Sequence, residues 1–140
     1  MKSLKLFSFI SLASLLVLFL SCKKDTTNSK TDLTLEMLSD KIWYLNYEQN
    51  DSVNNTYISS NAYYIKFLKD KTTEDSDGLV GTYSIEELNG KLQINVTAKT
   101  VNMNSITYTH TIETIGEKKM VLSYTPSGQT SKVTLFYSIK

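Results

Sequence analysis

Few side chains in this sequence have the means to do chemistry, and each is quickly bounded. Cys22 is the only cysteine and His110 the only histidine. Every basic residue is a lysine, so bidentate recognition of phosphate or carboxylate by a guanidinium is unavailable. His110 stands in the run Ile106-Thr107-Tyr108-Thr109-His110-Thr111-Ile112, on the apolar side of a strict alternation. It is therefore expected to point inward, either as a hydrogen-bonding partner for a ligand or as a satisfied core residue. A triad assembled in space needs no fixed spacing, but the chain has no Gly-x-Ser-x-Gly nucleophile elbow. Enzymatic activity is not expected, and no cofactor is implied.

The acidic run Glu74-Asp75-Ser76-Asp77-Gly78 invites a calcium-loop reading. With Gly78 at the sixth position, the first and twelfth fall on Thr73 and Ser84, where Asp and Glu are needed. The stretch reads instead as a solvated acidic hairpin loop, and no metal site is expected. The aromatics are more informative. Trp43, Tyr47, Tyr63, Phe67, Tyr83, Tyr108, Tyr124, Phe136 and Tyr137 are spread over several segments. The plain expectation is core packing; the functional one is a pocket with phenol groups on its walls. For such a pocket the candidate ligand-binding residues are Trp43, Tyr64, Tyr108 and His110.

The elements that must position these residues read as strands. A helix is expected over 33–40, with Leu35, Met37 and Leu38 covering one end of the domain. The first strand, 41–49, puts Trp43, Leu45 and Tyr47 on one face. A loop over 50–55 leads to a second strand, 57–68, broken near Ser59-Ser60. A charged loop over 69–78 follows, then a strand over 79–86. Asn89-Gly90 is a strong two-residue hairpin signal, leading to a strand over 91–98. Three further strands follow over 105–115, 120–125 and 131–139. Seven strands, or eight with the second split, joined by short connections, predict an all-β antiparallel up-and-down meander. Closing into a small barrel buries its apolar face and removes its edges. An open sandwich is the competing architecture.

The N-terminus carries a different signal. Lys2 and Lys5 precede an apolar run, 6–20, broken only by Ser8, Ser11 and Ser14. Such a run is short for a bilayer core of ~30 Å and has the layout of a signal peptide. Leu18-Phe19-Leu20-Ser21-Cys22 resembles the lipobox of bacterial lipoproteins. That resemblance implies cleavage after residue 21 and a diacylglycerol thioether on Cys22. Several acyl chains on one cysteine give a stable membrane anchor, and the thiol is consumed. Residues 22–32 then form a polar tether, and 33–140 one domain. Losing Lys2 and Lys5 turns 15 basic against 14 acidic residues into one net negative charge, which gives no basic face for nucleic acid.

Leu38-Ser39-Asp40-Lys41-Ile42-Trp43-Tyr44-Leu45 resembles the start of a lipocalin barrel, a short helix followed by an early Trp. Ile65-Lys66-Phe67-Leu68-Lys69-Asp70-Lys71, Gly81-Thr82-Tyr83-Ser84-Ile85 and Met120-Val121-Leu122-Ser123 are similar to segments of the lipocalin-like lipoproteins of Bacteroidota. The resemblance implies an envelope lipoprotein whose barrel binds a small hydrophobic or amphipathic ligand. Just after Cys22 only Asp25 is acidic, a weak match to the acidic export signal of surface-exposed lipoproteins of Bacteroidota, so the periplasm-facing side of the outer membrane is expected. The alternative is a filled barrel serving a protein partner in the envelope. Expression with an alkynyl palmitate should label the wild-type chain and leave Cys22→Ala unlabelled; an unlabelled wild-type chain overturns the anchor.

Overall fold

The computed structural model describes residues 29–51, 53–58, 63–99 and 104–140. Cys22 and the expected signal peptide lie outside them. One helix, α1 (Lys30–Leu38), precedes nine strand segments: β1 (Lys41–Asn50), β2 (Val53–Ile58), β3 (Tyr64–Phe67), β4 (Thr72–Asp75), β5 (Val80–Leu88), β6 (Lys91–Lys99), β7 (Ser105–Ile115), β8 (Lys119–Tyr124) and β9 (Val133–Ser138). Each strand from β3 to β9 pairs antiparallel with the next, and β1 pairs with both β3 and β9. The sheet thus closes into an eight-stranded barrel of β1 and β3–β9. β2 follows β3 along the same edge of β1, pairing with Tyr47–Asn50 while β3 takes Lys41–Tyr44. The expected split of the second strand is therefore present, and the open sandwich is not the architecture found.

Several boundaries differ from expectation for physical reasons. The helix begins at Lys30, within the expected tether, because Ser29 and Asp32 form a capping box. The Ser29 hydroxyl accepts from the Asp32 N–H, and the Asp32 carboxylate accepts from the Ser29 N–H. Leu38 is fully buried and Leu35 partly so, whereas Met37 is exposed. The expected 50–55 loop shrinks to a tight connection, since β2 starts at Val53. The expected 69–78 loop contains β4, whose inward residues are Thr73 and Asp75 and so give no apolar alternation. Its outward Glu74 meets Lys66 across the β3–β4 pair at 3.0 Å.

Two bulges set which side chains face the interior. In β1 the register shifts between Leu45 and Tyr47, and the inward set changes phase there. Tyr47, expected beside Trp43 and Leu45, instead sits opposite outward Phe136, the rings stacked at 4.2 Å. Glu48 is brought opposite Leu135, on the interior side. In β7 the shift between Ile112 and Thr114 frees Glu113 to reach Ser123 at 2.6 Å and Lys132 at 2.7 Å.

The interior is closely packed around Trp43 and Leu38 at one end. Trp43 and Leu38 are inaccessible there, and the Trp43 indole N–H donates to the Leu38 carbonyl at 2.9 Å. Phe67 meets Tyr83 edge-on at 5.0 Å. The Tyr83 hydroxyl donates to the Leu68 carbonyl at 2.8 Å and lies 3.2 Å from the Ser39 hydroxyl. Leu92, Ile112 and Met120 complete this floor. Full burial of each large apolar side chain contributes about 1.5–3 kcal/mol. The Asn89-Gly90 hairpin turns at this end, with φ of 52° and 75°, the positive values that a type I′ turn requires.

Curvature demands one glycine in particular. A Cβ on Gly81 would stand 2.3 Å from the Thr97 backbone carbonyl oxygen, on the neighbouring strand β6. Gly81→Ala should therefore destabilise the barrel by about 1–3 kcal/mol, the usual range for forced overpacking. Gly116→Ala, whose nearest contact would be 4.0 Å away, should stay within about 0.5 kcal/mol of wild type. Urea denaturation midpoints of the two variants check this, and equal midpoints would refute the steric account.

Candidate functional site

Above the floor the interior is not filled. A cavity of about 450 Å³ occupies the upper half of the barrel, between the strand ends remote from α1. Its apolar wall comes from Leu45, Ile65, Phe67, Leu79, Ile94, Val96, Leu122 and Leu135. Its polar groups are Tyr63, Asp75, Asp77, Tyr108, Thr109, His110, Tyr124 and Tyr137. Every strand of the barrel contributes or flanks this wall, because inward-facing positions recur at every second residue.

Asp75 is the most constrained of these groups. It ends β4 and is buried. Its Oδ1 accepts the backbone N–H groups of Asp77 at 2.9 Å and Leu79 at 3.0 Å. Its Oδ2 accepts the Tyr63 hydroxyl at 3.1 Å. The carboxylate thus folds the β4–β5 turn, which Gly78 completes at φ 79°. The acidic stretch is consequently not a purely solvated loop: Asp75 turns inward at the cavity rim.

His110 lies between two phenol rings, edge-on to Tyr108 at 5.2 Å and to Tyr124 at 5.1 Å. Burial pushes its imidazole down to about 4, so at neutral pH it is uncharged, with one donor and one acceptor nitrogen. Burial likewise raises the Tyr108 phenol to about 12. The Tyr63 and Tyr137 phenols are pushed up further, first by burial and then by neighbouring tyrosines and Asp75. All of these phenols keep their protons under ordinary conditions. Tyr137 is only 6% exposed. Among the described residues, neither its hydroxyl nor those of Tyr108 and Tyr124 has a hydrogen-bond partner, and neither does His110.

The four sequence candidates separate. Tyr108 and His110 stand together in the cavity wall. Trp43 lies below it in the packed floor, its indole N–H already committed to Leu38. Tyr64 faces outward, edge-on to Tyr44 at 5.9 Å, and the adjacent Tyr63 takes the inward position. The parity of Ile65 and Phe67, both buried, is the signal that places Tyr63 rather than Tyr64 inside. Asp75 was hidden because a polar inward residue breaks the alternation that defines a strand. Glu48 was hidden because a bulge has no clear sequence signature.

No protein-family model matches the chain, and a search of curated proteins finds no match either.

The buried imidazole gives a pH signature. Its ordinary value is 6.5 and its folded value about 4. Above 6.5 both states are neutral and His110 contributes no pH dependence. Between 6.5 and 4 the unfolded chain binds a proton that the folded chain does not, so stability falls as pH falls. At ~1.4 kcal/mol per tenfold in the proton equilibrium, the loss approaches about 3 kcal/mol. Urea midpoints between pH 7 and 4 should fall less steeply in His110→Phe than in wild type; parallel profiles would show that the histidine is not desolvated.

Proposed function

We propose that this chain is a lipid-anchored binding protein of the cell envelope, with a lipocalin-like barrel that takes up a small apolar or amphipathic ligand. One observation carries the reading: a cavity of about 450 Å³, largely apolar and aromatic, standing open above a packed floor. That size falls in the ~300–1,000 Å³ range of small-molecule sites, which pair apolar walls with a few polar groups. The unpartnered Tyr108 and Tyr137 hydroxyls and the His110 ring supply such groups. A barrel filled throughout and serving a protein partner through its outer face is the reading that the cavity counts against. No enzymatic step is proposed. His110 contacts two tyrosine rings, and among the described residues no serine or threonine hydroxyl is hydrogen-bonded to it.

The anchor is supported by Leu18-Phe19-Leu20-Ser21-Cys22 and by the polar residues after it. Outer-membrane placement with the domain in the periplasm is supported by the lipobox resemblance and by the weak acidic signal just after Cys22, where only Asp25 is acidic. The barrel adds an orientation. Lys30, at the start of α1, contacts Glu87 at 3.3 Å and the Gly90 carbonyl at 3.4 Å, both beside the floor-end hairpin. α1 therefore starts at the closed end, and the mouth is at the opposite one.

Titration with the neutral fluorescent probe N-phenyl-1-naphthylamine tests the binding. Wild type should enhance its emission saturably. Leu135→Trp, which inserts an indole into the cavity, should weaken binding at least tenfold while leaving the far-ultraviolet circular dichroism unchanged. Absence of saturable binding to wild type, or unaltered binding to a folded Leu135→Trp, would overturn the reading.

A further inference from the structure

The charge around the cavity is all of one sign. Asp75 and Asp77 line it, and the bulge in β1 turns Glu48 to the interior side of the rim, opposite Leu135. No lysine is among the lining residues, and the chain contains no arginine. His110, uncharged at neutral pH, offers no positive counterweight. Carboxylates at the mouth of a low-dielectric cavity focus a negative potential into it, raising the local concentration of cations and repelling anions.

The polar groups inside have the matching chemistry. A carboxylate has about four acceptor positions. Asp75 uses three, for the Asp77 and Leu79 N–H groups and the Tyr63 hydroxyl. One position on Oδ2 stays open. Tyr137 is more than nine-tenths buried, lines the cavity, and its hydroxyl has no hydrogen-bond partner among the described residues. A protonated phenol can accept from an ammonium N–H, and phenol faces attract a cation through the ring quadrupole. The deeper wall of Ile94, Val96 and Leu122 is purely aliphatic and suits an alkyl tail.

We propose that the cavity selects a cationic amphiphile, a primary alkylammonium whose head is held at the acidic rim by Asp75 and Glu48 and whose tail lies over the aliphatic wall. The selection rests on the binding function proposed above and narrows it to one ligand class. An alkyl carboxylate of the same length fits the same tail site, but its head meets three acidic side chains and no cation.

Competition against N-phenyl-1-naphthylamine with octylammonium, octanol and octanoate, at pH 7 and low salt, separates head group from tail. Octylammonium should displace the probe at least tenfold more tightly than octanol, and octanoate should be weakest. Glu48→Gln and Asp75→Asn should each bring the affinity for octylammonium towards that for octanol measured on the same variant. Glu48 makes no side-chain hydrogen bond with another described residue, so its variant remains informative if Asp75→Asn disturbs the β4–β5 turn. Added salt should narrow the gap between octylammonium and octanol. Equal affinities, a preference for octanoate, or an octylammonium affinity untouched in Glu48→Gln would overturn the cationic selection while leaving cavity binding intact. Failure of the probe itself to bind would remove both.

Discussion

Closure of β1 on β9 is the constraint from which the rest of the structure follows. Six residues of β1 find partners on β9, while the opposite edge of the same strand pairs with β3 and β2. A sheet this short closes only with strong local curvature, and the chain supplies it through bulges and a strand glycine. Those devices do more than bend the sheet. Each bulge inverts the inward and outward sets beyond it. The β1 bulge exchanges Tyr47 for Glu48 at the interior, so the geometry needed for closure also fixes the charge at the mouth.

The two ends of the barrel are built on different principles. At the floor, α1 is held by one polar contact inside an apolar cluster: the Trp43 indole donates to the Leu38 carbonyl, a group at a helix end that would otherwise lack a partner. Ser39, Tyr83 and Leu68 form a second such connection beside it. Buried polar atoms are satisfied there, as a stable core requires. At the mouth the polar atoms face open space instead. Tyr137 and Tyr108 carry hydroxyls into the cavity, and among the described residues neither these nor His110 has a hydrogen-bond partner.

Much of this was legible in the sequence, and the failures are instructive. Strict alternation fixed β7 to the residue and β6 to within one, because inward Leu92, Ile94 and Val96 are apolar and their outward neighbours are polar. Asn89-Gly90 announced its turn because few other residues adopt positive φ at both positions. β4 was invisible because its inward residues, Thr73 and Asp75, are polar for reasons of hydrogen bonding and not of burial energy. The cavity was half visible. Tyr108 and His110 could be placed on one inward face, but Tyr64 and Trp43 were misplaced for separate reasons. Tyr64 lies one residue out of phase, and Trp43 points inward at a depth that no local pattern encodes. Depth along the barrel axis depends on which strand ends α1 covers, a tertiary property.

The contrast between the two ends bears on purpose. This sequence can fill a barrel: its lower half does so with ordinary apolar residues in close contact. Filling the upper half in the same way would remove the imidazole and the phenols that line the open cavity. Leu or Phe in place of Tyr137 and His110 would suit the local strand pattern equally well and pack better. Departures of this kind, confined to one region of an otherwise consistent fold, are what a binding site looks like when its requirements compete with packing. The acidic rim has the same logic. Asp75 and Asp77 line the cavity and Glu48 faces its rim opposite Leu135, and no lysine stands among the lining residues to balance them. The acidic rim and the unpartnered hydroxyls are the features on which the proposed choice of a cationic amphiphile rests, and both lie at the same end of the barrel.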